Sequence, residues 1–119
     1  MIGWVKVHRK IREKGWYRNS TKVHLWIELL LRASHKEKEF MFNGKNITLH
    51  PGQFIAGRKD LSDSTGIHES SVERMLTFFE KNEQQIEQQK TPHGRLITIV
   101  SWWEYQILEQ LNEQQANNQ

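Results

Sequence analysis

Gly57-Arg58-Lys59-Asp60-Leu61-Ser62-Asp63-Ser64-Thr65-Gly66-Ile67-His68-Glu69-Ser70-Ser71-Val72-Glu73-Arg74-Met75-Leu76-Thr77-Phe78-Phe79-Glu80-Lys81-Asn82 is the stretch whose reading decides the fold. Apolar or small residues fall at Leu61, Thr65, Ile67, Val72, Met75, Leu76 and Phe79, with Gly66 between two helical patterns. The spacing predicts a helix-turn-helix. A glycine adopts the left-handed conformation without steric cost, so the first helix can end sharply at Gly66. Ile67 then plugs the angle between the helices, and Val72, Met75, Leu76 and Phe79 form an i, i+3, i+4, i+7 stripe that seats the second helix on a core. With that stripe inward, Ser70, Ser71, Arg74, Thr77 and Lys81 look outward, the hydroxyls near the end where a recognition helix reaches base edges. Arg58 and Lys59, before the first motif helix, are expected to anchor phosphates. Glu69 and Glu73 suit the helix dipole but repel phosphates.

Downstream, Gln84–Gln89 reads as a strand, Lys90–Gly94 as a turn and Arg95–Val100 as an apolar β-branched strand. Helix, turn, helix, then hairpin is the order of a winged helix. Lys90, His93 and Arg95 would meet the phosphate backbone from the wing, unless the hairpin is an ordinary solvent-facing turn. Upstream, Trp4, Val7, His8 and Ile11 recur at helical spacing and predict a first amphipathic helix ending near Gly15. Asn19-Ser20-Thr21 caps a second helix from about Thr21 to Ala33. That helix is apolar nearly all round, which suits a central helix or one that also meets a partner subunit. Glu39–Leu49 reads as two short strands around Asn43-Gly44, Pro51-Gly52 as a turn, and Gln53–Ala56 as a strand. The expected class is α+β, mainly α: a winged helix-turn-helix with an N-terminal helical extension and a β-hairpin wing.

The 119 residues, 36% hydrophobic with five Trp and five Phe, suffice for one domain, expected over 1–106. Residues 107–119 form a polar Gln/Asn-rich tail that cannot offset its ordering entropy by burial. Net charge is +3, divided as +6 over residues 1–22, +1 over 23–66 and −4 over 67–119. A basic end favours a polyanion partner, or forms a solvated face. Zero cysteines exclude disulfides, a thiol nucleophile and a cysteine zinc site. No apolar run approaches the ~18 residues that span a bilayer, and no secretory leader opens the chain, so a cytoplasmic location without membrane contact is expected. Six scattered histidines offer no zinc spacing, and Asp60 and Asp63 lack a Ca loop. Phosphate-loop, dinucleotide and Gly-x-Ser-x-Gly signatures are missing. The expectation is a protein that is not an enzyme and needs no cofactor or metal. Trp102, Trp103 and Tyr105 can stack on unpaired bases, but read better as an aromatic plug meeting Trp4, Trp16 or Trp26.

Gly52-Gln53-Phe54-Ile55 leading into Arg58-Lys59-Asp60-Leu61, then Thr65-Gly66-Ile67, Val72-Glu73-Arg74-Met75-Leu76 and Ile97-Thr98-Ile99-Val100-Ser101-Trp102-Trp103-Glu104-Tyr105-Gln106, together carry a family resemblance. In this order the chain resembles the N-terminal winged-helix domain of phage and mobile-element replication proteins, the replisome-organiser and DnaD-like primosome group. Gly3-Trp4-Val5-Lys6-Val7-His8-Arg9-Lys10-Ile11 and the Phe42-Asn43-Gly44 hairpin fit the same group, so the likeness covers about residues 2–106. It implies a non-enzymatic module that binds DNA, double-stranded and in some settings single-stranded. The module would self-associate through its N-terminal helices and help a helicase loader or primosome assemble at an origin. It also implies that the tail begins a linker to a second domain. Two positions depart from the pattern: His68 stands where a serine or threonine cap is usual, and Phe78 stands where a polar, solvent-facing residue is expected, which points to a protein contact at that face or to an extra core residue. Two rival readings remain, a protein-assembly module without DNA and a dimeric transcriptional regulator.

Overall fold

The computed structural model describes residues 3–42, 44–92 and 94–108, without the side chains of Phe42, Ile107 and Leu108. The fold is α+β, with two small antiparallel sheets. Its helices are α1 (Ser20–Arg32), α2 (Arg58–Thr65) and α3 (Glu69–Thr77), and α3 runs on into a wider π-helical turn, Phe78–Asn82. Strands β1 (Lys38–Phe42) and β2 (Lys45–Leu49) pair as a hairpin, with Phe42 opposite Lys45. Strands β3 (Gln53–Ile55), β4 (Ile86–Thr91) and β5 (Gly94–Ile99) form the second sheet in the order β3-β5-β4.

Local chemistry sets most boundaries. Asn19 caps α1 by accepting the Lys22 N–H at 3.1 Å. Gly66, at φ 76° and ψ 9°, ends α2, and its N–H reaches the Ser62 carbonyl at 2.8 Å. Leu25, Leu29, Leu61, Val72, Leu76, Phe79, Ile86 and Ile97 form the fully buried centre, so the stripe of α3 does face inward. Ile67 is buried beside them, and Trp16 and Trp26 approach the Phe79 ring at 5.2 and 5.3 Å. Arg32, at the end of α1, grips Asp60 with two nitrogens at 2.7 and 3.0 Å, donates to Glu28 at 2.8 Å and reaches Ser64. This clamp fixes the angle between α1 and α2, and the guanidinium holds the Asp60 carboxyl below its usual range.

Two expectations are corrected, and one of the two readings of Phe78 is favoured. The first amphipathic helix does not form: residues 3–8 lie outside helix and strand, and only Arg9–Glu13 makes a short 3-10 helix. Trp4 and Val7, expected on its apolar face, are exposed. A helix this short is marginal unless packing supports it, and here a tertiary contact claims the backbone. The buried Gln106 amide accepts the Lys6 N–H at 2.9 Å and donates to the Lys6 carbonyl at 2.7 Å, as a neighbouring strand would. Self-association through paired N-terminal helices therefore has only α1 to use, and most of that helix's apolar surface is already covered; Leu31 is the exposed exception. The aromatic plug also differs. Trp102 is buried against His35, ring centres 5.0 Å apart, while Trp103 is exposed and Tyr105 meets His8 at 5.0 Å. Finally, Phe78 is half-buried with the Lys22 ammonium 3.8 Å from its ring centre, which makes it the edge of the core.

Candidate nucleic-acid interface

The outward face of α3 starts from its cap. His68 is a cap in its own right: its Nδ1 accepts the Ser70 N–H at 3.2 Å and lies 2.8 Å from the Ser70 hydroxyl. The imidazole thus replaces the serine or threonine usual at this place. One turn on, Arg74 donates to the Ser71 hydroxyl at 3.0 Å, and the Thr77 hydroxyl donates back to the Glu73 carbonyl at 3.0 Å. Ser70, Arg74, Thr77 and Lys81 are exposed and Ser71 is half-buried.

The glutamates on the same helix lie beside arginines expected to serve another purpose. Arg95 donates to Glu73 at 2.9 Å and to Gln88 at 2.9 Å, with only 15% of its side chain exposed. It stands in the row of Ile97 and Ile99, which point at the helices, so strand alternation turns it inward. Arg95 is thus a brace between the β4–β5 hairpin and α3, a correction to its expected place on the wing surface. Arg58 lies 3.9 Å from Glu69, and Lys59 lies 3.2 Å from Asp63, both on the surface. Such exposed pairs contribute little and open readily to a competing phosphate. Lys90, opposite Arg95 in the hairpin, is exposed, and His93 lies outside the described residues.

Sequence reasoning missed the groove beside this face. Ser20, Thr21 and His24 from the start of α1 meet Thr65, His68 and Ser71 across the turn at Gly66-Ile67. Every lining side chain that carries a polar group is a hydroxyl or an imidazole, and no carboxylate lines it. The first turns of α1 and α3 open on it with their positive dipole ends, beside the negative end of α2 at Thr65 and Gly66. The groove requires α1 to pack against the turn about 45 residues downstream, which no local pattern encodes. Of the basic residues 1–22, Lys22 reaches the end of α3 at Phe78, whereas Lys6, Lys10 and Lys14 line a separate cavity.

Among the described residues, no three His, Asp or Glu side chains gather to hold a metal ion, and no helix is long and apolar enough to cross a membrane. No protein-family model, curated protein or solved structure matches this chain.

Proposed function

We propose that this chain is a winged-helix nucleic-acid-binding module, with α3 as the recognition helix and the β4–β5 hairpin as the wing. The groove of hydroxyls and imidazoles at the starts of α1 and α3 carries the reading. It offers a phosphate oxygen hydroxyl and imidazole donors directly beside Ser70, Ser71 and Arg74. Duplex DNA is the favoured ligand, because a helix with an exposed polar face fits the major groove while its flanks hold phosphates. The ion pair of Glu73 with the part-buried Arg95 offsets the repulsion that this acid would otherwise exert. Arg74 and Lys81 would make the principal charged contacts, with Lys90 and His93 joining from the wing. The chemistry is binding without catalysis. Its place at replication initiation, in a phage or mobile-element protein that recruits a helicase loader, rests on the family resemblance alone.

The test is fluorescence anisotropy of the full chain with a labelled duplex and a labelled oligothymidylate at two salt concentrations. Binding is expected at low salt and should fall steeply with added salt. Arg74→Ala together with Lys81→Ala should weaken it about ten-fold on any sequence, because phosphate contacts are lost uniformly. No binding at low salt would remove the proposal. A strong preference for one palindromic site would move it to a transcriptional regulator.

A further inference from the structure

The cavity under the N-terminal segment has a different chemistry from the groove. It encloses about 90 Å³, with Ile11, Trp16, Trp26 and Leu30 as its apolar walls. Lys10 and Lys14 line it together with His8, Tyr105 and the half-exposed Val7, while the Nζ of Lys6 is buried. No carboxylate lines it; Glu83, which accepts the Trp16 indole N–H at 3.0 Å and meets Lys14 at 3.6 Å, lies just behind. Lys10 has no ion-pair partner among the described residues.

The two amides on the cavity wall are already engaged. Gln106 is held by both backbone groups of Lys6, and Gln85 donates to the Glu83 carbonyl at 3.3 Å. A nucleobase placed inside would bury edge nitrogens and oxygens against the apolar walls of Ile11, Trp16, Trp26 and Leu30, which is costly. An aliphatic or aromatic side chain makes no such demand. An apolar hole with a cationic rim is how a docking site takes one anchor residue from a partner of opposite charge.

From this we infer that the cavity is a docking site for an acidic peptide segment of another protein, one bulky apolar side chain entering between Trp16, Trp26 and Leu30 while a flanking carboxylate meets the exposed Lys10. The inference stands independently of nucleic-acid binding, because Trp26 and Leu30 occupy a different face of α1 from Ser20, Thr21 and His24.

The experiment titrates the full chain into a fluorescein-labelled peptide, Asp-Glu-Asp-Phe-Glu-Asp-Gly, and follows anisotropy at low salt. Saturable binding is expected. Replacing the peptide's Phe by Ala should weaken it more than about ten-fold. The charge reversal Lys10→Glu, at an exposed position, should weaken it about five-fold while leaving duplex affinity unchanged. Failure of the peptide to bind would overturn the inference, as would equal affinity for the Ala peptide. An oligothymidylate whose binding is lost in Lys10→Glu while the peptide stays silent would assign the cavity to single-stranded nucleic acid instead. Sedimentation of the chain alone covers the last occupant: a dimer abolished by Lys10→Glu would give the cavity to a second copy and overturn the proposal.

Discussion

The α2–α3 side of the molecule and the side where the two ends of the chain meet are built in opposite ways. On the first, neighbours in sequence are neighbours in space: Gly66 turns the chain, His68 caps the next helix, and Arg74 meets Ser71 one turn away. On the second, every important contact is remote: Gln106 holds Lys6, Trp102 lies on Gly52, and Trp16 reaches Glu83. The first side presents a polar groove and the second an aromatic cavity. Local architecture tolerates single changes, because each signal acts on its own turn. The remote one concentrates constraint at a few residues.

Two glycine substitutions sharpen that contrast. Gly52 has φ 87°, and a Cβ there would lie 2.7 Å from the Trp102 Cβ, inside the buried plug. Gly52→Ala should combine backbone strain with overpacking and cost about 3–4 kcal/mol. Gly66 has φ 76° with no atom within 4 Å of a Cβ, so Gly66→Ala should cost only about 1 kcal/mol. Urea denaturation of both variants checks the ratio, and equal losses would break the comparison.

Next in size is the clasp between the ends. Gln106→Leu keeps the bulk but leaves the Lys6 N–H and carbonyl without the amide that holds them. A loss of about 2 kcal/mol is expected, with hydrogen exchange accelerated at the Lys6 amide and unchanged in α3. Exchange that rises equally in α3 would mean the two sides are one cooperative unit.

The smallest effect belongs to the Arg32–Asp60 clamp. The arginine depresses the Asp60 pKa in the folded state, so the pair stabilises above the ordinary carboxylate pKa of about 4. That stabilisation is lost as the pH falls through the lower folded value. The Asp60 side chain is 54% exposed, which limits the contribution to under about 1 kcal/mol. Asp60→Asn should therefore lower Tm slightly at pH 7, and the difference from the parent chain should vanish in acid. A difference that persists in acid would make the clamp's role steric.

The helices α1, α2 and α3 and all five strands were legible because each carries its signal within a few residues. The Asn19 cap, the Asn43-Gly44 turn, the Gly66 turn and the stripe from Val72 to Phe79 are all of this kind. So was the inward turn of Arg95, had its alternation with Ile97 and Ile99 been weighed above its charge. The Trp4–Ile11 segment misled because its apolar spacing fits a helix, while what decides its backbone is an amide 100 residues away.

Chain order alone therefore determined which segments are helix or strand and which face of α3 points outward, since period and capping act over one or two turns. Packing decided the rest: that the α1 start joins the α3 start in one groove, that Arg95 turns to Glu73, and that the N-terminal segment lines a cavity instead of forming a helix. Those outcomes depend on which distant surfaces bury each other, and burial free energy belongs to the pair of surfaces rather than to either stretch of sequence.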